Sequence, residues 1–426
     1  MGDIGLVMVV GLIVLLALGV PIAFTIGLLA AVGIWMADVN PMILPQQFIA
    51  GSNVTSLLAI PGFILAGEVM SAGGLSRRLV RVAETFFGHL TGGLSMSTVA
   101  AGTFFGAISG SAPATTAAVG SIMIDELETR GYQRGYAAAL ATAVGPLGQM
   151  IPPSIPMVIW GVLAEESIAK LFLAGIVPGL IAATGFCVVS ILYARFHGVA
   201  KQKRATGKEF LFAFKDGIWA LLAPVVILGG IYSGMFTPTE AAMVGVLYSA
   251  IVGLFLYRDL AWKKVPSILM NSMRTTGVIM FIVAVAYGFA WVMASEQIPA
   301  QLTRALLELT DNPILLLLII NVMLLLLGAV MDNISAMVIL SGVLIGLGQQ
   351  IGLDPIQLGA MVVINFAVGM VTPPVGYSIF VASSISGLRV ETVARHIWPF
   401  MLVLLGVVAL VAYVPAITLW LPATFG

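Results

Sequence analysis

Two short polar interruptions lie within long apolar stretches of the sequence, and their residue types suit the binding of a small cation. The first interruption is Ser109-Gly110-Ser111, and the second is Met331-Asp332-Asn333-Ile334-Ser335. Hard cations take oxygen ligands such as those that hydroxyl, carboxylate and carboxamide groups offer. A charged residue at membrane depth also requires a partner or an ion. We therefore expect both interruptions to supply ligands.

Each interruption is followed by another apolar stretch that contains a glycine and proline break. The first break runs from Gly145 through Gly148 to Pro152-Pro153-Ser154, and the second runs from Gly369 through Thr372-Pro373-Pro374 to Gly376. Because proline lacks a backbone N–H, it leaves carbonyl groups upstream without a helical partner. Such carbonyls are costly in lipid unless something satisfies them. A sodium ion is a good candidate.

These observations predict two sodium sites and a substrate site between them. The predicted ligands of the first sodium ion are Ser109, Ser111 and carbonyls near Gly145 and Gly148. Those of the second are Asp332, Asn333, Thr372 and carbonyls near Gly328 and Gly369. Helix N-termini at the breaks suit a substrate carboxylate, which we expect near Ser111, Ser154, Asn333 and Thr372. The alternative for a single break is a kink that serves packing only.

The composition identifies the surroundings of these residues as a membrane. Of the 426 residues, 60% are hydrophobic and 9% are charged, whereas a soluble domain is about half apolar and a quarter charged. The apolar runs are continuous, as in 314–327, and do not alternate as barrel strands do. The fold class is therefore all-α and polytopic. Net charge is zero, which gives no indication of nucleic-acid binding.

Nine crossings are expected, each near the roughly 20 residues that a bilayer needs. They lie at about 4–35, 54–74, 137–163, 170–194, 217–235, 239–257, 275–294, 357–385 and 397–420. Lys and Arg cluster at 77–81, 130–134, 195–215, 258–274 and 389–395, and the positive-inside rule places these loops in the cytoplasm. The C-terminus is then expected outside, and parity places the N-terminus inside.

Two further apolar segments, 92–120 and 312–350, are predicted to be re-entrant helical hairpins. Both flanks of the first are basic, so an ordinary single span would send Arg77–Arg81 and Arg130–Arg134 to opposite sides. The second segment has two apolar halves around Asp332, and its flanks lean acidic. An ordinary span, or a pair of spans, with a polar kink is the alternative.

The two halves of the chain are related by a shift of 221 residues. This shift places Gly148 on Gly369, the pair Pro152-Pro153 on Pro373-Pro374, and Ser111 on Asp332. Acidic residues follow the first break and Arg389 follows the second, so the two copies are expected to run in opposite directions. Inverted repeats with broken helices at matching positions are typical of secondary transporters.

Two acidic residues near span ends have structural and functional interpretations. Glu68 is either a proton or ion-binding group or the partner of Arg77 or Arg78 in an ion pair. Glu240 lies at the start of a helix that either Thr237 or Thr239 can cap, and a carboxylate stabilises the first turn, so we expect a structural role for Glu240.

Catalysis is not expected. The sequence contains no GxxxxGK[ST] phosphate loop and no HExxH motif. An intramembrane hydrolase that uses Ser109 is a remote alternative, because no histidine falls in a predicted span to activate the serine.

The chain resembles the large membrane subunit of tripartite ATP-independent periplasmic (TRAP) transporters, the DctM-like family. The resemblance is carried by residues 61–70 (PGFILAGEVM), 74–79 (GLSRRL), 109–114 (SGSAPA), 236–242 (FTPTEAA) and 369–376 (GMVTPPVG). It implies an elevator-type fold of the ion transporter superfamily, in which a transport domain moves against a scaffold.

By position, the resemblance implies five segments. Residues 1–91 are scaffold helices and an interfacial arm, 92–166 and 312–388 are the two halves of the transport domain, 167–311 are scaffold helices and an arm, and 389–426 are a C-terminal arm and helix.

The resemblance also implies sodium-coupled uptake of an organic acid, such as a C4-dicarboxylate or sialic acid, with sodium ions as coupling ions and no other cofactor. The expected partners are a small four-helix membrane subunit and a soluble periplasmic binding protein, in the bacterial cytoplasmic membrane. A sodium/dicarboxylate symporter without a binding protein is the alternative, and an ion channel is a remote one.

Overall fold

The first predicted crossing is instead a pair of antiparallel helices. The computed structural model describes residues 3–308, 310, 312–373 and 376–425, and the chain starts with α1 (Asp3–Ala17) and α2 (Ile22–Met36). A Cβ added to Gly11 would lie 2.7 Å from Leu29 Cδ2, and one added to Gly33 would lie 3.3 Å from Met8 Sδ. The single crossing over 4–35 is therefore wrong. Gly19 has a φ of +79°, and the chain turns back there, so the parity argument for a cytoplasmic N-terminus no longer holds.

The next three helices lead from this pair to the first hairpin. They are α3 (Ile43–Ser52), α4 (Ala59–Ala72) and α5 (Leu75–Phe87). Helix α4 continues a short 3₁₀ turn at Thr55–Leu58 and matches the predicted crossing at 54–74. Helix α5 carries charged residues on one face and buried apolar residues on the other, as expected of an amphipathic arm at the membrane interface.

The segment predicted as the first re-entrant hairpin forms α6 (Gly93–Ser109) and α7 (Ala112–Thr129). The two helices pack against each other and are joined at Gly110, which adopts a left-handed φ of +62°. The following stretch is broken into α8 (Arg134–Val144), α9 (Leu147–Met150) and α10 (Ile155–Leu163). The hairpin and the break are both confirmed.

The middle of the chain forms four long helices and a short one. They are α11 (Ile168–Phe196), α12 (Gly207–Tyr232), α13 (Pro238–Ile251, continued by a π turn to Leu256), α14 (Val265–Ser295) and α15 (Ile298–Leu307). The first four match the predicted crossings in this region. Exposed apolar side chains are frequent on α12 to α14, as at Val225, Leu247 and Phe281, which is the surface expected of helices in contact with lipid.

The second hairpin and the second broken stretch follow in the same order. They are α16 (Pro313–Val330), α17 (Asn333–Gln350), α18 (Pro355–Gly369) and α19 (Tyr377–Ser386), and the chain ends with α20 (Val390–His396), α21 (Trp398–Tyr413) and α22 (Ala416–Phe425). Pro374 of the predicted break lies outside the described residues. The predicted crossing at 397–420 ends at Tyr413, because Val414 and Pro415 interrupt the helix.

Helix boundaries confirm the repeat. The second helix of each hairpin, Ala112–Thr129 and Asn333–Gln350, is offset by 221 residues at both ends. The first helices of the hairpins end at Ser109 and Val330, with the same offset. The chain is thus built from two copies of one unit.

Among the described residues, seven helices are long and apolar enough to cross a membrane, or eight if α20 and α21, which meet at 62°, form one span. The broken stretches do not count as continuous helices, although the first helix of each stretch is almost entirely buried. All residues of α8 after Arg134, and all of α18 after Pro355, are buried. The two broken stretches therefore form the centre of the fold.

Candidate functional site

The two polar interruptions, which we call the first tip (Ser109–Ser111) and the second tip (Met331–Ser335), meet at one cavity of about 670 Å³. Ser109, Gly110 and Ser111 line it from one side, and Asp332, Asn333 and Ile334 from the other. Helices α4 and α14 complete the wall with residues that include Gly67, Glu68 and Thr275. Contributions from both repeats to one cavity make it the candidate substrate site.

Of the predicted site residues, Ser109, Ser111, Asp332 and Asn333 line this cavity. The others do not belong to its wall; they are Gly145, Gly148, Ser154, Gly328, Gly369 and Thr372. The structure thus brings together the tips as expected, and the break residues lie behind them.

At the first tip, hydroxyl groups and a carbonyl form a small network. Ser109 Oγ lies 2.8 Å from Thr115 Oγ1, and Thr115 Oγ1 donates to the Ser111 carbonyl at 2.9 Å. Thr115 lies one turn into α7, and no sequence pattern distinguishes it from the other hydroxyl residues of this segment. Its hydroxyl holds the two serines of the tip in place.

Oxygen atoms also gather where the first break passes behind this tip. A Cβ added to Gly145 would contact the Thr116 hydroxyl and lie 3.0 Å from the carbonyls of Ala112 and Thr142. The Thr116 hydroxyl is buried and has no hydrogen-bond partner among the described residues. A Cβ added to Gly148 would contact the Thr115 hydroxyl and lie 3.0 Å from the Ser111 carbonyl oxygen. This donor set suits a sodium ion, which takes oxygen ligands.

At the second tip, Asp332 caps α17. Its carboxylate accepts hydrogen bonds from the backbone N–H and the hydroxyl of Ser335, as an N-cap residue does. The next residue, Asn333, is buried, and its Oδ1 has no partner among the described residues. An unsatisfied buried carboxamide oxygen is costly and is a suitable ligand for a cation.

The second break approaches this tip backbone to backbone. A Cβ added to Gly369 would lie 2.6 Å from the Gly328 carbonyl carbon, and Gly376 donates its N–H to the Ala329 carbonyl at 3.2 Å. Only glycine allows α16 and α18 to pack this closely, since any side chain at Gly369 would meet main-chain atoms.

Ser154 and Thr372, both predicted near the substrate, have local hydrogen bonds. Ser154 is fully buried and caps α10, where its Oγ accepts from Met157 N at 3.4 Å. Thr372 Oγ1 donates to the Val368 carbonyl at 2.7 Å. Their binding roles stay predictions.

Four helices start at the cavity wall. Helix α7 starts after Ser111, α17 after Asp332, α10 at Ile155 and α19 at Tyr377. The N-terminus of a helix carries about +0.5 of an elementary charge. The cavity therefore offers positive potential to an anion, as expected from the breaks.

Of the two interpretations of Glu68, the ion pair with Arg77 or Arg78 is wrong. Arg78 binds Asp216 and Asp259 instead, at 3.2 and 2.5 Å, and its guanidinium lies 3.7 Å above the Tyr257 ring. Glu68 faces the cavity. Glu240 has the predicted structural role, because its carboxylate accepts from Thr237 N at 2.8 Å in a capping box at the start of α13.

Two residues of the cavity, Gln149 and Met370, were not selected from the sequence. They occupy equivalent positions in the repeats and lie 3.5 Å apart, Gln149 Nε2 to Met370 Sδ. Their positions differ by the 221-residue repeat shift, and this relationship could have identified them from the sequence.

The family model described as the DctM component of the tripartite ATP-independent periplasmic transporter matches residues 9–417. The chain belongs to this family. Among similar proteins, the isethionate TRAP transporter permease protein DctMQ of Oleidesulfovibrio alaskensis is 40% identical over 95% of this chain, and the match spans 64% of that longer protein.

Other relatives match over most of their own length. The C4-dicarboxylate TRAP transporter large permease protein DctM of Pseudomonas aeruginosa is 40% identical, with 87% of each chain covered. The sialic acid TRAP transporter large permease protein SiaM of Vibrio cholerae is 34% identical, with 96% of each chain covered. These identities over whole chains place the protein among the large TRAP permeases.

A solved structure confirms the fold. The YdaH transporter of Alcanivorax borkumensis is similar with a TM-score of 0.66 over 87% of this chain and 86% of that one, at 15% identity. At such low identity the similarity concerns the fold alone.

Proposed function

We propose that this TRAP permease carries out sodium-coupled uptake of an organic acid that a periplasmic binding protein delivers. The names of its relatives include C4-dicarboxylate, sialic acid and isethionate. The first two are carboxylates and the third is a sulfonate, so their common chemistry is an organic anion. We expect a substrate of this class.

One observation carries the proposal. The tips of the two repeats converge on a single cavity where four helix N-termini start, and the buried Oδ1 of Asn333 in its wall has no hydrogen-bond partner among the described residues. Behind the first tip, the buried Thr116 hydroxyl also has no partner among these residues. Helix N-termini favour the anion, and unpartnered oxygens favour the cation. A cavity with both suits symport.

The proposed sodium sites are the two oxygen-lined regions behind the tips. The first is formed by Ser109, Ser111 and carbonyls near Gly145 and Gly148, and the second by Asp332, Asn333, Thr372 and carbonyls near Gly328 and Gly369. The substrate carboxylate is proposed to bind near Ser111 and Asn333, with Ser154 and Thr372 at the back of the site. Differential binding of these ligands to outward and inward states would drive alternating access.

The proposed moving unit consists of residues 92–166 and 312–388. A direct hydrogen bond between Gln149 and Asn333 joins the two halves, which supports their movement as one body. Residues 1–91, 167–311 and 389–426 would form the scaffold and its arms. Helix α4 of the scaffold approaches the first tip closely at Gly67, where an added Cβ would lie 3.2 Å from Ser109 Cα.

The proposed partners are a small four-helix membrane subunit and a soluble periplasmic binding protein, in the cytoplasmic membrane of a bacterium. Both termini are proposed to be periplasmic. The basic residues 77–81 place the end of α4 in the cytoplasm, and the antiparallel pair α1 and α2 then returns the N-terminus to the outside.

Three alternatives make different predictions. A symporter without a binding protein would transport the organic acid with no soluble partner. A channel would conduct ions without a fixed ratio of sodium to substrate. A hydrolase would lose cleavage when Ser109 is replaced by alanine, but the Ser109 hydroxyl pairs with Thr115 rather than with a base.

The proposal is tested first by thermal unfolding of the purified protein in NaCl or KCl at equal ionic strength. A site filled to about 30 times its dissociation constant adds roughly 2 kcal/mol. We expect stabilisation specific to sodium that weakens in Ser111→Ala and in Asp332→Ala, but not in Thr184→Ala, a control on the exposed face of α11. Equal curves in both salts would contradict the sodium sites.

A second measurement tests coupling. The protein, reconstituted in liposomes with its two partners, should accumulate succinate, isethionate or sialic acid when sodium is higher outside than inside. Accumulation that survives collapse of the sodium gradient would contradict sodium symport, and transport without the binding protein would favour the first alternative.

A further inference from the structure

The described part of the cavity wall contains two carboxylic acids, Glu68 and Asp332, and no lysine, arginine or histidine. The remaining polar wall residues are neutral, among them Ser109, Ser111 and Gln149. Two carboxylates oppose the binding of an organic anion, so the cavity must compensate for their charge.

The charge of Asp332 is compensated within its own helix. Its carboxylate accepts from the backbone N–H of Ser335 at 3.1 Å and lies at the positive end of α17, an 18-residue helix. Such an end favours a negative side chain. The N-terminus of α17 therefore offsets part of the Asp332 charge.

Glu68 has no such compensation among the described residues. It lies inside α4, away from the helix N-terminus at Ala59, and its carboxylate makes no hydrogen bond or ion pair with any described residue. The basic residue expected to pair with it, Arg78, is held by Asp216 and Asp259. The Glu68 carboxylate is exposed to the cavity.

The position of Glu68 is fixed by close packing on both sides. Its neighbour Gly67 contacts the first tip at Ser109, and Gly62 on the same helix contacts α13, where an added Cβ would lie 2.7 Å from Ala242 Cβ. Helix α4 therefore holds the carboxylate beside the tip, where both the sodium sites and the substrate are proposed.

We infer that Glu68 is a specificity-determining charge, which attracts sodium to the empty cavity and opposes an organic anion that arrives without it. The inference rests on the proposed function. The Coulomb energy of two charges is inversely proportional to their distance and to the effective dielectric constant, which is about 20 in such sites. A fixed carboxylate therefore acts on both ligands without touching them. Sodium binding is favoured first, and the bound sodium then offsets the repulsion of the anion.

Removal of the Glu68 charge should weaken sodium binding and strengthen binding of the organic anion, and the test measures both changes. In Glu68→Gln, the sodium concentration for half-maximal stabilisation without substrate should rise about three- to tenfold. At saturating sodium, the apparent Kd should fall by a similar factor for whichever of succinate, isethionate or sialic acid stabilises the wild-type protein. Glu68→Asp should resemble wild type in both, and Glu240→Gln, which alters a helix cap outside the cavity, should shift neither.

The outcomes distinguish failure of this inference from failure of the proposed function. Weakening of both ligands in Glu68→Gln would indicate a structural role and would overturn the inference, as would the absence of any shift. In these cases the wild type still responds to sodium, and the proposed function stands. A wild-type protein that responds equally to sodium and potassium would overturn the proposed function together with the inference.

Discussion

Asn333 Nδ2 donates a hydrogen bond to Gln149 Oε1 at 2.6 Å. The two residues belong to different repeats, and both are buried. Asn333 starts the second helix of the second hairpin, and Gln149 lies in the short helix of the first broken stretch. This bond therefore joins the two halves of the proposed transport domain at the floor of the cavity.

Replacing Gln149 by leucine should destabilise the protein by about 1–3 kcal/mol, because the Asn333 amide then loses its partner in a buried position. Gln349→Leu, at an exposed position on α17, is the matched control and should change stability by less than about 0.5 kcal/mol. Thermal unfolding measures both.

The double variant Gln149→Leu, Asn333→Leu tests whether the bond itself is responsible. Residues in direct contact show coupling energies of about 0.5–3 kcal/mol, so the double variant should be less destabilised than the sum of the single ones. Strict additivity would mean that the two side chains act independently.

Arg78 joins the interfacial arm α5 to α12 and to the segment after α13. It binds Asp216 and Asp259 and lies over Tyr257, whose hydroxyl donates to the Asp216 carbonyl at 2.7 Å. Arg78→Gln should therefore cost about 1.5–3 kcal/mol, the range for hydrogen bonds with charged partners.

The neighbouring Arg77 is the natural control for Arg78. Arg77 is exposed and forms no ion pair with a described residue, so Arg77→Gln should leave the apparent Tm within about one degree, since most surface substitutions cost under 0.5 kcal/mol. Equal losses of stability in Arg77→Gln and Arg78→Gln would indicate that the total positive charge of α5 matters rather than the contacts of Arg78.

The hairpins and breaks were predictable because helix-breaking residues mark them in the sequence. Gly110 needs a left-handed conformation, and Pro153 and Pro373 interrupt apolar runs. The pair α1 and α2 was missed because the turn at Leu18–Pro21 is short and itself apolar. A hydropathy pattern cannot separate one long span from two short ones when no polar residue lies between them.

Side-chain direction accounts for the other differences between prediction and structure. Ser154 and Thr372, whose binding roles stay predictions, lie outside the cavity wall, and their hydroxyl groups bond locally to Met157 N and the Val368 carbonyl. Arg78, one of the two ion-pair partners considered for Glu68, has two acidic partners from distant parts of the chain instead, Asp216 and Asp259. Such partners depend on tertiary packing, which a local sequence pattern does not contain.

Gly369 is expected to tolerate no side chain. In Gly369→Ala the new Cβ would lie 2.6–3.0 Å from the main chain of Gly328, and backbone atoms cannot move away as a flexible side chain would. We expect destabilisation of about 1–3 kcal/mol or more from overpacking. Gly406→Ala on α21, where nothing lies within 4 Å of the new atom, should be neutral or stabilising, because alanine favours helix. Thermal unfolding of both variants shows whether the loss at Gly369 comes from the steric clash or from any replacement of a helix glycine by alanine.

Glu84 should make stability depend on pH. It lies on the interfacial helix α5, outside the membrane-spanning segments, and burial raises its pKa above the ordinary 4.5, with a further contribution from the Glu126 charge. Arg130 and Arg81 oppose this rise. A carboxyl group with a raised pKa binds its proton more tightly in the folded state, so its ionisation destabilises the fold.

Between pH 4.5 and pH 8, the ionisation of Glu84 should make the stability of the protein fall as the pH rises. In the window above the ordinary pKa of Glu84, the folded state binds more protons than the unfolded state, and stability falls as the pH rises. Glu84→Gln removes this penalty, so the variant should be more stable than wild type at pH 7.5 and the difference should vanish near pH 4. Glu308→Gln, at an exposed position after α15, should leave the profile unchanged. If Glu84→Gln instead lowered the apparent Tm at neutral pH, the Glu84 carboxylate would be stabilising, and its attraction to Arg130 and Arg81 would outweigh the cost of burial.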